Sequence, residues 1–303
     1  MVKKPNEVAV MLREAGRKKT LLTLDRMFIL AVFAGVYIGF GAQFATTVSM
    51  DLAPRVGIGL SNMISGTVFS VGLMLVILGG AELFTGNNLI LLSFLSRRSK
   101  LSAVIRNWGT IYLGNFVGSL LLVLLIFVGG FYSMGGNLLG VRALAIANGK
   151  VNLGFVQLIA RGIVCNWLVC MAVWLATSAE DATGKILACL FPIMAFVASG
   201  YEHSIANMFF IPMGVLLKGV PSLVVQSGLD LTNLTWGNFV FRNLIPVTIG
   251  NVIGGCFFVA TLYWYVYLRL ESRAHDMIIE LNTMVNDDES SGLVELHSRE
   301  LSD

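Results

Sequence analysis

Six long apolar segments dominate this 303-residue chain and restrict the class of fold that it can adopt. A helix needs about 20 apolar residues to cross the hydrocarbon core of a bilayer. The segments cover residues 28–48, 62–95, 107–130, 156–178, 186–215 and 240–268. Hydrophobic residues make up 56% of the chain and charged residues only 13%, whereas a soluble domain is about a quarter charged. The sequence therefore predicts an all-α integral membrane protein with six transmembrane helices.

Most positive charges lie on one side of the predicted spans. Seven lysines and arginines precede the first span, and Arg97, Arg98 and Lys100 follow the second. Cytoplasmic loops of membrane proteins carry an excess of Lys and Arg. With an even number of spans, both termini are therefore expected in the cytoplasm, and the protein is expected in the inner or plasma membrane.

The chain divides into three predicted parts. Residues 1–27 are basic and are expected to form an amphipathic helix on the membrane surface. This polar start has no short apolar core with a cleavage site, so no cleaved signal peptide is expected. Residues 28–268 form the predicted transmembrane domain. Residues 269–303 are acidic towards their end and are expected to be a solvated cytoplasmic tail.

Two sequence patterns each occur twice, and in the same order. Residues 80–87 ("GAELFTGN") and 200–207 ("GYEHSIAN") share Gly-x-Glu-x-x-x-x-Asn, within the second and fifth spans. Residues 106–118 and 242–254 share Arg-Asn, six further residues and Gly-Asn-x-x-Gly, near the starts of the third and sixth spans. Three spans are an odd number, so the two halves must cross the membrane in opposite directions. This predicts an inverted repeat, which in transporters places the substrate site near the midplane.

Polar residues inside the second and fifth spans predict that both helices are broken. Non-helical backbone survives at membrane depth only where protein or a water-filled cavity covers it. The ends of half-helices offer N–H donors to an anion. The residues expected to support the broken helices are Glu82, Asn87, Glu202 and Asn207, and Glu202 is expected to cap a broken end. His203 is predicted to line a pathway, because ionisable residues within membranes favour a function.

Three asparagines in other spans have a simpler interpretation. Asn115, Asn166 and Asn251 are expected to form hydrogen bonds between neighbouring helices. The small-residue pairs around Asn115 and Asn251 are expected to be helix-packing faces. The four cysteines form no Cys-x-x-Cys pair, so neither a metal site nor a cofactor is predicted.

Five longer segments closely resemble the formate/nitrite transporter family, and most closely its formate channels. They are "GAELFTGNNL", "RNWGTIYLGNFVGSL", "GIVCNWLVCMAVW", "ASGYEHSIANMFFIPMG" and "NLIPVTIGNVIGG", and the resemblance covers about residues 10–268. It implies a homopentamer in the lipid bilayer, with six helices per protomer in an aquaporin-like arrangement. Each protomer would then carry its own pore, and no nucleic acid would be involved.

The resemblance also implies which residues line that pore. The predicted substrate pathway consists of Lys150, near an outer vestibule, and of Thr85, Asn166 and His203. The implied constrictions are apolar and comprise Phe69, Leu73, Leu83, Phe84, Val169 and Phe196. After Thr85 this chain has Gly-Asn-Asn instead of the Ser-Thr pattern of formate channels, so the residues leave the substrate open among formate, nitrite and hydrosulfide.

The predicted function is transport of a small monovalent anion, with formate preferred. A bare anion would lose its hydration at a large cost between apolar rings, whereas the neutral acid would pass more easily. His203 is the predicted proton partner because histidine titrates near neutral pH, either by donating the proton or by shaping the field while water donates it. Acetate and lactate are further alternatives within the family.

Two functions outside the family are alternatives to this prediction. A water or glycerol channel is the nearest in structure, but the chain contains no Asn-Pro-Ala motif. A membrane enzyme could use His203 and Ser204 as a nucleophile pair. Neighbouring side chains on a helix do not face each other, and no third orienting group has a suitable spacing, so the chain is not expected to be an enzyme.

Overall fold

A computed structural model describes residues 2–270 and consists almost entirely of helices. In chain order they are α1 (Pro5–Thr20), α2 (Leu24–Ser49), α3 (Ala53–Val56), α4 (Ile58–Gly79), α5 (Phe84–Leu95), α6 (Leu101–Val128), α7 (Leu138–Val151), α8 (Phe155–Ser178), α9 (Ala182–Ala198), α10 (Ser204–Leu217), α11 (Pro221–Ser227) and α12 (Trp236–Tyr267). Within residues 2–270 the β structure is limited to one bridge, between Val2 and Ala179. The predicted tail lies outside the described residues from 271 onwards.

Several of these helices are long and apolar enough to cross a bilayer. In the described part of the chain, α2, α4, α6, α8 and α12 meet this test singly, and α10 with α11 meets it as a pair bent by 105°. The helices α5 and α9 are apolar but shorter. The chain is therefore a multi-pass membrane protein. The predicted second span corresponds to α4 with α5, and the predicted fifth span to α9 with α10.

Helix α1 differs from the surface helix expected from the sequence. It ends at Thr20 instead of continuing to residue 27, and its apolar face packs against the protein. Val8 and Ala9 are fully buried. Gly16 lies so close to α5 that an added Cβ would be 3.2 Å from atoms of Ile90 and Ser93. This face is covered by protein and is not available to lipid.

Helix α7 was not predicted, although it carries Lys150. Its 14 residues are too few for a span, and Arg142, Asn148 and Lys150 interrupt its apolar pattern. It packs against α10, where Gly214 admits Ala147 in close contact. An apolar segment of this length is recognised as part of a membrane domain only once its neighbours are known.

Two helix pairs form the same close contact, α2 with α6 and α8 with α12. An added Cβ on Gly118 would overlap the carbonyl oxygen of Val32, and one on Gly254 would overlap that of Ile163. Small residues at these positions allow the backbones to approach, which stabilises helix pairs in membranes. The two Gly-Asn-x-x-Gly segments therefore occupy equivalent contacts, as expected for packing faces.

Candidate transport pathway

Two non-helical segments interrupt the bundle, and their backbones have the same shape. The first break (residues 80–83) separates α4 from α5, and the second break (residues 199–203) separates α9 from α10. Gly80 and Gly200 have φ of 72° and 71°, a left-handed conformation that glycine adopts without strain. Leu83 and His203, the last residues of the breaks, are both extended.

Asn115 of α6 bridges the first break. Its Nδ2 donates to the carbonyl oxygens of Ala31 (2.8 Å) and Glu82 (2.9 Å), and its Oδ1 accepts from the N–H of Phe84 at 2.9 Å. Free carbonyl and N–H groups at helix ends are costly when they are buried. One side chain thus bonds to three backbone groups, of which the Glu82 carbonyl and the Phe84 N–H at the start of α5 lie at the break itself.

Asn251 of α12 bridges the second break with the same three bonds. Its Nδ2 donates to the carbonyl oxygens of Gly162 (2.9 Å) and Glu202 (3.0 Å), and its Oδ1 accepts from the N–H of Ser204 at 2.9 Å. The expectation that the Glu202 side chain caps the broken end is wrong. Asn251 and the ring of His203 cap α10, while the Glu202 carboxylate turns to other partners.

A lysine, a glutamate and two asparagines stabilise the first break. Glu82 Oε2 accepts from Lys19 Nζ (3.0 Å) and from Asn87 Nδ2 (2.7 Å). Lys19 Nζ also donates to Asn87 Oδ1 at 2.7 Å. Asn107 joins the group, because its Oδ1 accepts from Asn87 (3.0 Å) and its Nδ2 donates to the Lys19 carbonyl (3.3 Å). This group connects α1, the first break, α5 and α6.

The second break has the equivalent group. Lys150 Nζ donates to both carboxylate oxygens of Glu202, at 2.9 and 3.0 Å, and Asn207 Nδ2 donates to Glu202 Oε2 at 2.7 Å. Asn243 accepts from Asn207 (2.7 Å) and donates to the Lys150 carbonyl (2.9 Å). The Lys150 side chain is 15% exposed and that of Glu202 5%. Lys150 is therefore charge-compensated, not a free cation of the vestibule.

Two cavities reach into the bundle from opposite ends of α4. The first has a volume of about 170 Å³ and is lined by Asn62, Ser65 and Phe69 of α4 and by residues of α7. We call it the α7-side cavity. The second cavity has a volume of about 260 Å³ and is lined by Leu73 and Val76, further along α4, and by residues of α1. We call it the α1-side cavity. Phe69 and Leu73 are four residues apart, about 6 Å along a helix. About one helical turn thus separates the cavities.

The predicted constriction residues divide between these cavities. Phe69 and Phe196 line the α7-side cavity, with ring centroids 5.7 Å apart in an edge-to-face arrangement. Leu73 and Leu83 line the α1-side cavity. Val169 is buried and lines neither of them. Apolar side chains therefore line both cavities at their inner ends, where Phe69 and Leu73 follow each other along α4.

Phe84 lies apart from the other predicted constriction residues. It lines a lateral groove together with Trp108 and Tyr112, and its ring centroid is 4.8 Å from that of Tyr112. Neither the α1-side nor the α7-side cavity includes Phe84 in its lining. Adjacent residues of an element point in different directions, so Leu83 reaches the cavity and Phe84 does not.

A hydrogen bond between Thr85 and His203 joins the two half-helices. His203 lines the α7-side cavity, and its Nε2 is 3.0 Å from Thr85 Oγ1. Its Nδ1 accepts the N–H of Ala206 at 3.1 Å, which makes it the N-cap of α10. A backbone N–H can only donate, so Nδ1 carries no proton and the neutral ring carries it on Nε2. Thr85 Oγ1 then accepts from His203 and keeps its own proton for another acceptor.

Asn166 lies behind Thr85, outside the lining of both cavities. Its Nδ2 contacts the Thr85 carbonyl oxygen (3.3 Å), Asn88 Oδ1 (2.8 Å) and the Asn251 carbonyl oxygen (2.7 Å). The Cys170 thiol also donates to the Thr85 carbonyl, at 3.5 Å. Sequence reasoning did not connect Cys170 with Thr85 or Asn88 with Asn166, since only the fold brings these residues together.

The hydrogen bonds of His203 do not support a nucleophile pair of His203 and Ser204. Both ring nitrogens of His203 are occupied, by Ala206 and by Thr85. Ser204 Oγ is buried, and within residues 2–270 it has no hydrogen-bond partner. The histidine therefore does not activate this hydroxyl.

Comparisons with known proteins agree with the resemblance seen in the sequence. The family model described as formate/nitrite transporter matches residues 6–265. A probable formate transporter of Methanothermobacter thermautotrophicus is 41% identical, over 88% of this chain and 98% of the relative. The formate channel FocA of Escherichia coli (strain K12) is 38% identical, over 88% of this chain and 94% of the relative.

Solved structures give the same result. A structure described as a pentameric formate channel with formate bound is 38% identical and superimposes with a TM-score of 0.74, over 81% of this chain and 98% of that one. A structure described as an FNT family ion channel is 28% identical, also with a TM-score of 0.74. The resemblance read from the five sequence segments is confirmed, and the chain belongs to the formate/nitrite transporter family.

Proposed function

We propose that this protein is a channel for small monovalent anions and that formate is its main substrate. The observation that carries the proposal is the Thr85–His203 hydrogen bond, in which His203 lines the α7-side cavity and Thr85 is buried between Leu83 and Gly86 of the α1-side cavity. A hydrogen-bond donor in such a place suits an anion that has lost its water. The relatives described as formate channels or transporters support formate as the choice.

The proposed mechanism lets formate cross the apolar region together with a proton. The Thr85 hydroxyl donates to a carboxylate oxygen, while His203 holds that hydroxyl through its Nε2–H. Protonation of His203 on Nδ1 would cost the N-cap of α10, because Nδ1 already accepts from Ala206. The proton therefore arrives from vestibule water with the substrate, and the histidine shapes the field as a neutral group. Flux then follows the gradients of formate and protons.

We extend the proposal to the architecture of the protein in its membrane. Residues 28–268 form six spans in two inverted three-helix repeats, with the second and fifth spans broken, and both termini are cytoplasmic. The paired groups around Glu82 and Glu202 support this, because an inverted repeat predicts the same bonds twice. Assembly into a homopentamer rests on the relative described as pentameric.

The variant His203→Asn tests the role of the histidine. Asparagine is among the best N-cap residues, so α10 keeps its cap, but the side chain has no imidazole that could take up a proton. In proteoliposomes we expect lower formate flux, because the donor to Thr85 is lost, with an unchanged shape of the pH profile between about pH 5 and 8. A flattened profile would instead mean that His203 itself passes the proton.

A competition experiment tests the substrate. Formate, nitrite and hydrosulfide are supplied to the same proteoliposomes, and we expect formate to have the highest flux at equal low concentration. A clearly higher flux of nitrite or hydrosulfide would identify that anion as the substrate instead of formate. The protein would still be an anion channel. Water flux above that of protein-free vesicles, without anion flux, would favour a neutral-solute channel.

A further inference from the structure

The α7-side cavity contains an arginine, Arg142, that forms no salt bridge within residues 2–270. Besides His203 and the phenol of Tyr201, the ionisable side chains in its lining are Arg142, Lys150 and Glu202. Lys150 and Glu202 neutralise each other through two short bonds. Arg142 makes one side-chain bond in the described part of the chain, from its Nε to Ser49 Oγ at 3.1 Å. Its partly buried guanidinium therefore gives the cavity a net positive charge.

The bond to Ser49 also orients the guanidinium group. Ser49 Oγ donates to the Thr46 carbonyl (3.3 Å), so the hydroxyl oxygen accepts from Arg142 Nε. Within residues 2–270, the two Nη atoms of Arg142 have no hydrogen-bond partner. Guanidinium is always charged in proteins, and its parallel N–H donors match the two oxygens of a planar anion such as a carboxylate. The free Nη edge is therefore available to an entering anion.

The α1-side cavity lacks this feature. Its lining contains Lys19 and Glu82, which are paired at 3.0 Å, and no arginine. We propose that Arg142 is an anion-binding residue of the α7-side cavity and that it binds planar two-oxygen anions, formate or nitrite, in preference to hydrosulfide. This inference rests on the proposed function and adds the residue that recruits and discriminates the anion on one side.

The experiment compares three variants in proteoliposomes at low ionic strength. Arg142→Gln removes the charge, and Arg142→Lys keeps the charge but loses the planar pair of donors. Arg55→Gln is the matched control, because Arg55 is exposed, lies beyond the same end of α2 and is paired with Asp51 at 2.7 Å. We expect Arg142→Gln to raise the KM for formate about tenfold with little change in maximal flux, since it removes hydrogen bonds to a charged group.

The remaining outcomes separate charge from shape. Arg142→Lys should have an intermediate KM for formate and a wild-type KM for hydrosulfide, and Arg55→Gln should behave as wild type. An unchanged formate KM in Arg142→Gln would overturn the inference, and a wild-type ratio of formate to hydrosulfide KM in Arg142→Lys would overturn the discrimination.

A binding measurement separates this inference from the proposed function. Saturation-transfer NMR detects the formate proton on the detergent-solubilised protein and requires no transport. At a formate concentration near the wild-type KM, the signal should be equal in wild type and Arg55→Gln and several-fold weaker in Arg142→Gln. Absence of formate flux in wild type would contradict the proposed function alone, whereas equal signals in all three proteins would contradict the role of Arg142.

Discussion

The two breaks in the bundle are stabilised by the same types of residue, but they contribute different residues to the proposed pathway. Each has a left-handed glycine and a glutamate bound to a lysine and an asparagine. At the position where the second break has His203, the first has Leu83, and where α5 has Thr85, α10 has Ile205. One half thus contributes the hydroxyl and the other the imidazole. The repeat provides the scaffold, and its departures provide the polar pair.

The lysine–glutamate pairs of the two breaks also differ in burial. The Lys19 side chain is 33% exposed beside Glu82, whereas Lys150 is 15% exposed and binds both oxygens of Glu202. An ion pair gains more from its partner, and loses more without it, when water is excluded. The second break should therefore depend more strongly on its lysine than the first.

Substitution of the two lysines by methionine should give the largest difference between the breaks. Lys150→Met leaves the Glu202 carboxylate buried and unpaired, and we expect a loss of about 3–5 kcal/mol in the free energy of unfolding in detergent. Lys19→Met should cost about 1 kcal/mol or less, because water reaches that pair. The double variant Lys150→Met/Glu202→Gln should recover most of the loss. Equal losses for the two lysines would remove the distinction in burial.

Substitution of the two bridging asparagines should show the equivalence of the scaffolds. Asn115→Leu and Asn251→Leu each remove three hydrogen bonds to buried backbone groups, two of them to groups at the break itself, at about 1 kcal/mol or more per bond. We expect both to lower the free energy of unfolding by about 3 kcal/mol. Thermal unfolding of the two variants beside wild type measures this. A loss confined to one variant would show that the matched bonds differ in their contribution.

Removal of the Thr85 hydroxyl should affect transport more than stability. Thr85→Val keeps the shape of the side chain and removes the donor to the anion, so we expect formate flux to fall about tenfold, the effect of one hydrogen bond to a charged group. Ile205→Val, at the equivalent position of α10, is the control and should keep wild-type flux. Equal flux in Thr85→Val and wild type would exclude the hydroxyl from the pathway.

Truncation of the apolar side chains should give the smallest effect. Phe196→Ala widens the inner end of the α7-side cavity, and Leu83→Ala that of the α1-side cavity. We expect the ratio of lactate to formate flux to rise several-fold in each, and more for Phe196 because the phenyl ring is larger. Phe84→Ala is the control from the lateral groove and should leave the ratio unchanged. A similar rise in all three variants would place Phe84 in the pathway after all.

Local sequence was sufficient for much of the fold. The lengths of the apolar segments predicted the positions of α2, α6, α8 and α12, because a bilayer requires a minimum apolar length. The duplicated glycine and glutamate predicted non-helical segments at the right residues. Helix α7 was missed because it is short and interrupted by polar residues, and α1 was assigned to the membrane surface because its apolar face has no sequence signal for a protein partner.

The contacts of the pathway required the tertiary structure. Thr85 and His203 are 118 residues apart, and Lys150 and Glu202 are 52 apart, so neither pair follows from spacing. The resemblance to known relatives identified these residues, but it did not show that Glu202 neutralises Lys150 or that Arg142 has no salt-bridge partner among residues 2–270. The sequence alone determined that the chain enters a bilayer, where its helices are interrupted and that its halves are related, because apolar length and backbone conformation are local properties. Which side chains meet, and which charge remains free, was decided only by the folded arrangement, because hydrogen bonds and ion pairs depend on distances between residues far apart in the chain.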